Sequence, residues 1–231
     1  RRRALALAGS AKAQVGILIS GRGSNMAALV EASQADDFPA EVALVLSNRP
    51  DAAGLDYAAA KGISTAVVDH KPYGKDREAF EKAVDASLRT AGVELVCLAG
   101  FMRLLTPWFV AQWRDKLINI HPSLLPSFKG LHTHEHALDA GVLLHGCTVH
   151  FVRAEMDAGP IIAQAAVPVL PGDDADALAA RVLAAEHRLY PFALQLVANG
   201  TVKVRGEKTS HSKAAAYSTD MLISPNLVDD E

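Results

Sequence analysis

The stretch Val15-Gly16-Ile17-Leu18-Ile19-Ser20-Gly21-Arg22-Gly23-Ser24-Asn25 decides the fold. A short apolar run stops at a polar, glycine-bearing loop, after which Met26, Leu29 and Val30 recur at helical spacing. This reads as strand, glycine loop, helix. Gly21 and Gly23 permit a tight turn and close backbone approach, Ser24 or Asn25 can cap the helix, and free amides at a helix N-terminus favour an anion such as phosphate. The loop is neither the dinucleotide pattern G-x-G-x-x-G nor a P-loop, so turn geometry alone is the competing reading.

The same rhythm continues outward. Strands are expected at 41–46, 64–68, 94–99 and 116–120, with helices over about 52–61, 76–90 and a short one from Thr106-Pro107. Short apolar strands alternating with amphipathic helices are the pattern of parallel βαβ units, so the expected class is α/β: an open, mostly parallel twisted sheet with helices on both faces. Further strands are expected at 147–152 and 161–169, helices at 173–187 and 191–198, and a last edge strand at 201–205. Residues 1–13 read as a flexible leader, 14–205 as one domain and 206–231 as a loosely ordered tail.

Composition narrows the function classes. Half of the 231 residues are hydrophobic, 21% are charged and the net charge is -3, which suits an ordinary globular protein and gives no basic excess for nucleic acid. No stretch approaches the ~20 apolar residues needed to span a bilayer, so no membrane partner is expected. Cys97 and Cys147 lie in apolar surroundings without metal-ligand spacing and read as reduced core residues of a cytoplasmic protein, a disulfide being the alternative.

Chemistry is expected at Leu117-Ile118-Asn119-Ile120-His121-Pro122-Ser123-Leu124-Leu125-Pro126. Asn119 and His121 are two apart and share a face of the strand, and the prolines turn the chain into a loop at its carboxyl end, where open α/β sheets bind ligands. Two satisfied structural polar groups remain the plainer reading. The apolar loop Gly100 to Pro107 carries one charge, Arg103, and covers either core or an aromatic ligand; Arg77, a cation in the first turn of a helix, is either a surface accident or meets a ligand carboxylate. The run His132-Thr133-His134-Glu135-His136 puts His132 and His136 at i,i+4 on a helix and so invites a metal, but its Glu follows the wrong residue for H-E-x-x-H and solvated or capping histidines explain it as well, so no metal is expected. The turn at Asp157-Ala158-Gly159-Pro160 is ordinary by composition and matters only if Asp157 reaches His121.

Taken in order, G-R-G-S-N, A-G-F-M-R-L-L-T-P, N-I-H-P-S-L-L-P, G-L-H-T-H and M-D-A-G-P resemble the folate-dependent formyltransferases, the resemblance running from about Val15 to Gly200. It implies a Rossmann-like formyltransferase fold and transfer of a formyl group from 10-formyltetrahydrofolate, a co-substrate, to the amine of glycinamide ribonucleotide in purine synthesis. Carried onto matching positions, it makes Asn119, His121 and Asp157 the catalytic trio. Gly23, Ser24, Asn25 and Glu186 would hold the ribonucleotide. Arg77, Met102, Arg103, Leu104 and Leu105, with Asn119 and the turn Arg153, Ala154, Glu155, Met156 and Asp157, would line the folate site. No contact is carried over to Leu183. The partners implied are these two small molecules, with the protein a monomer or homodimer. The tRNA-directed branch of the family resembles a longer chain with an RNA-binding domain and suits a basic protein; a formyltetrahydrofolate deformylase, or a non-catalytic folate or nucleotide binder, is the alternative.

Overall fold

The computed structural model describes residues 11–212 and 222–225. Seven strands form one sheet in the order β3-β2-β1-β4-β5-β6-β7. These are β1 (Ala13–Ile19), β2 (Ala40–Ser47), β3 (Thr65–Val67), β4 (Leu95–Leu98), β5 (Leu117–His121), β6 (Leu144–Phe151) and β7 (Ile161–Pro168). The pairs β1–β2, β2–β3, β1–β4 and β4–β5 are parallel, and β5–β6 and β6–β7 are antiparallel. The helices are α1 (Ser24–Ser33), α2 (Ala53–Ala60), α3 (Arg77–Thr90), α4 (Pro107–Gln112), α5 (Thr133–Asp139) and α6 (Ala175–Ala198). The expected open, mostly parallel sheet is the one found.

Alternation along the strands builds a core on each face. Val15, Ile17 and Ile19 of β1 join Met26 and Leu29 of α1 and Tyr190 and Leu194 of α6, whereas Leu18 joins Phe80, Val84 and Leu88 of α3 and Phe109 of α4. Tyr190, fully buried, brings its hydroxyl within 2.9 Å of the Leu98 carbonyl and 3.2 Å of that of Ile118, tying α6 to the two central strands.

Five expectations need correction. The N-cap of α1 is Gly23, at φ 72, with no side-chain cap from Ser24 or Asn25; a left-handed residue there suits glycine. The helices expected at 173–187 and 191–198 are one, since Pro191 costs α6 a single backbone bond while Leu189, Tyr190, Ala193 and Leu194 around it are buried. The expected edge strand, β8 (Val202–Arg205), does not join the main sheet but pairs with β9 (Lys208–His211) in a separate hairpin. Ordered structure therefore runs past residue 205, because Thr209 Oγ1 donates to the Ile161 carbonyl and His211 Nε2 to that of Ile162, docking the hairpin on β7. Of the expected leader, residues 1–10 lie outside the described residues and Ala13 already belongs to β1; of the expected tail, 213–221 and 226–231 lie outside them.

Candidate active site

The strand order reverses direction between β1 and β4, and the crevice beyond their carboxyl ends is where such sheets take ligands. A cavity of about 480 Å³ opens there, lined by the glycine loop Ser20–Asn25, by Asn48 and Arg49 after β2, by His70, and by Ala99, Gly100, Met102 and Arg103 after β4. A second cavity of about 360 Å³ shares Gly100 and Met102 with the first and continues to Asn119, His121, Gly130 and the start of α5. The two cavities thus meet at the loop after β4, and the second runs on to the end of β5.

Asn119 and His121 leave β5 on one side, as their spacing requires. The His121 ring is nearly buried, with Nε2 2.9 Å from the Phe128 carbonyl and Nδ1 3.5 Å from Asp157 Oδ2. Each ring nitrogen faces an oxygen acceptor, and only the doubly protonated ring has a donor for both. Asp157 stands in a left-handed backbone conformation, φ 51, and its Oδ2 also accepts from the Gly130 amide at 2.9 Å. Asp157 therefore does reach His121, 36 positions further along a chain that forms α5 and β6 in between.

His150 lies opposite Asn119 on β6. Burial lowers its pKa from the ordinary imidazole value. The neutral ring meets its surroundings by donating Nδ1–H to the Phe151 carbonyl at 3.1 Å and accepting at Nε2 from Asn119 Nδ2 at 3.3 Å. One amide hydrogen of Asn119 is thereby occupied and the orientation of the other is set. The proline loop is held by β6 and β7: Thr148 Oγ1 donates to the Ser123 carbonyl at 2.7 Å, and Gln164 Nε2 donates to the Leu125 carbonyl at 2.9 Å.

The glycine loop and the apolar loop are fastened together. Ser20 Oγ donates to Asn48 Oδ1 at 2.6 Å and accepts from the Met102 amide at 2.8 Å, while the buried Glu81 accepts from the Thr106 amide at 2.7 Å. Gly23, Ser24 and Asn25 line the first cavity. Glu186 is not among its lining residues: 7% exposed, its carboxylate accepts from Asn25 Nδ2 at 2.7 Å, and burial pushes its carboxyl up. That bond leaves Asn25 Oδ1 buried with no protein partner.

The expected folate residues divide. Met102, 74% exposed, lines both cavities, Leu104, 65% exposed, lines neither, Leu105 packs partly into the core, and Arg103 holds its guanidinium 5.6 Å above the Phe80 ring. Arg153 is turned away, its guanidinium committed to Asp115, Glu207 and the Val152 carbonyl. Arg77 is exposed and lines neither cavity, nor do Ala154, Glu155 and Met156, although Glu155 pairs with Lys129 at 3.6 Å. Sequence reasoning passed over Ser20, Asn48 and His150. The first two directly follow strands at the ligand-binding end of the sheet, a readable signal; His150 becomes visible only once β6 is known to run antiparallel beside β5.

Residues 13–194 match the family described as formyl transferase. The chain belongs to that family. Among its relatives in the family, the phosphoribosylglycinamide formyltransferase of Escherichia coli (strain K12) is 43% identical over 188 residues, covering 81% of this chain and 88% of that protein. The trifunctional purine biosynthetic protein adenosine-3 of Bos taurus is 52% identical over 193 residues, 84% of this chain. The chain spans 19% of that protein's length. The crystal structure of glycinamide ribonucleotide transformylase 1 from Symbiobacterium toebii superposes with a TM-score of 0.84 at 43% identity, over 89% of this chain and 99% of that one. Among the described residues of this formyl transferase family member, no group of three or more His, Cys, Asp or Glu side chains is placed to hold a metal ion, and no helix is long and apolar enough to cross a membrane. Cys97 and Cys147 are free and buried, and burial pushes both thiols up to about 12.

A pair of imidazoles behind the second cavity makes stability pH-dependent. His134 Nδ1 lies 3.2 Å from Nε2 of the buried His145, and burial, then the neighbouring His134, lowers the His145 pKa to about 4; burial lowers that of His134 as well. A histidine that resists protonation when folded leaves full stability above its unfolded pKa of about 6.5 and loses it progressively as the pH falls toward the folded value. The urea midpoint is expected to drop between pH 7 and pH 5, and to drop less in His145→Gln; parallel pH profiles for the two proteins would refute this.

Proposed function

We propose that this chain transfers the formyl group of 10-formyltetrahydrofolate to the primary amine of glycinamide ribonucleotide, acting in the cytoplasm. The observation that carries the reading is that Asn119 and His121 line the second cavity, which borders the first, with Asp157 Oδ2 standing 3.5 Å from His121 Nδ1. The glycine-loop cavity takes the ribonucleotide, with its phosphate on the loop amides and Arg22 or Arg49 nearby. The cavity under Met102 and Leu131 takes the folate, whose flat ring suits an apolar wall.

The amine nitrogen attacks the formyl carbon, and the carbonyl electron pair moves onto oxygen. The free amide hydrogen of Asn119 and the Nε2–H of His121 donate to that oxyanion, the formyl oxygen replacing the Phe128 carbonyl as acceptor. Asp157 holds the cationic ring in place and fixes its orientation. The tetrahedral carbon then releases N10 of the folate with the bonding pair, and a water ordered by Asp157 passes the proton from the amine to N10. Products are the formylated ribonucleotide and tetrahydrofolate.

Incubation with both substrates, beside a reaction lacking the ribonucleotide, tests the assignment. Formyl transfer only when the amine is present is expected, whereas tetrahydrofolate release at the same rate without it would make the chain a deformylase. Ser24→Glu places a carboxylate on the phosphate wall and is expected to raise the KM for the ribonucleotide by about tenfold or more, at roughly 1.4 kcal/mol per decade, with the folate KM little changed. An unaltered ribonucleotide KM would remove the phosphate from this loop.

A further inference from the structure

Arg153 opens the turn that carries Asp157 and is only 10% exposed, yet it faces no cavity. Its Nε donates to Glu207 Oε2 at 2.9 Å, its Nη2 to Asp115 Oδ1 at 2.8 Å and its Nη1 to the Val152 carbonyl at 3.1 Å. Glu207 accepts a further bond at Oε1 from Arg114 Nη2, at 2.9 Å. Two cations and two carboxylates therefore alternate in one network, which joins three pieces of chain. Arg114 and Asp115 precede β5, the strand of Asn119 and His121; Arg153 begins the Asp157 turn; Glu207 lies in the tight turn between β8 and β9. The hairpin also grips the far end of the Asp157 turn, since Thr209 Oγ1 donates to the Ile161 carbonyl at 2.6 Å, one residue beyond Pro160.

We infer that the β8–β9 hairpin is a clamp that fixes the Asp157 turn against β5, with Glu207 as its positioning residue acting through Arg153. An isolated exposed ion pair restrains little, but here one nearly buried guanidinium is held by two carboxylates and a carbonyl at once, so loss of Glu207 frees the turn at its entry. The Arg153 guanidinium beside it holds the Glu207 carboxyl below the usual carboxylate range, in keeping with a carboxylate that stays charged in this contact. The consequence for turnover rests on the function proposed above; the consequence for the turn's mobility does not.

Amide hydrogen exchange on the full chain, without substrates, reads the clamp directly. Glu207→Gln is isosteric and 64% exposed at this side chain, so the fold is retained. Exchange over residues 153–158 is expected to quicken by about three- to tenfold while β1 and β4 are unchanged. The double variant with Arg153→Gln is expected to exchange no faster than Arg153→Gln alone, because both substitutions break one contact. Unchanged exchange in the turn, an equal rise throughout the sheet, or effects that multiply in the double variant would each overturn the clamp. In the formyl-transfer assay, Glu207→Gln is expected to lower kcat/KM for the folate several-fold and to leave the ribonucleotide KM within about twofold, a split that general destabilisation would not produce. Faster turn exchange in a chain that transfers no formyl group would leave the clamp standing and refute the proposed activity instead.

Discussion

His121→Ala is expected to lower kcat by about two to four orders of magnitude while the protein stays folded. On the proposed mechanism, removal of the ring takes away a donor to the developing oxyanion and, with it, the imidazole that Asp157 faces at 3.5 Å. The same substitution costs the fold one hydrogen bond, from Nε2 to the Phe128 carbonyl, and a small cavity, about 1–3 kcal/mol. Typical stabilities of about 5–15 kcal/mol absorb that loss. The rate effect corresponds to about 3–5 kcal/mol of transition-state stabilisation, which no loss of folded protein on that scale would mimic. Measuring kcat at saturating concentrations of both substrates, beside the thermal midpoint, separates the two. A kcat within tenfold of the parent protein would take His121 out of the chemistry.

Gly159→Ala is expected to have the largest effect on stability, about 3 kcal/mol or more, or some 6–12 °C in Tm for a domain of this size. A Cβ at Gly159 would stand 1.6 Å from the Phe151 carbonyl oxygen and 2.7 Å from its carbon. Both are backbone atoms, so the clash cannot be relieved by turning a side chain. Relief requires the turn to lift from the end of β6, breaking the bond from the Phe151 amide to the Pro160 carbonyl at 2.9 Å and moving Asp157 from His121. Activity falls with stability for that reason. Gly21→Ala is the control, since a Cβ there meets nothing within 4 Å. Equal midpoints for the two variants would show that the turn is free to shift.

Much of the architecture was legible because it rests on local pattern. The run Val15 to Ile19, its stop at Ser20-Gly21 and the helical recurrence of Met26, Leu29 and Val30 fix β1, its loop and α1 without reference to the rest of the chain, and Asp76 and Thr106 cap α3 and α4 as their positions suggest. Pro191 misled because its cost is local, one lost bond, while the burial that offsets it comes from strands nearly a hundred residues earlier. Residues 206–211 misled because the partners that order them, Arg153 and the edge of β7, lie 54 and 48 residues earlier in the sequence.

For the site, the sequence by itself determined which atoms share a strand face: Asn119 and His121, two apart, point one way in any extended chain. It also determined the glycine loop and the apolar loop that would border two ligands. Only the tertiary structure decided that Asp157 arrives at His121, because that contact depends on β6 turning back antiparallel to β5 and on the left-handed backbone at Asp157. It also assigned Arg153 to the hairpin rather than to a ligand and set Glu186 behind Asn25. A side chain's partner is chosen by packing between segments distant in the chain, and no periodicity within a single segment encodes that choice.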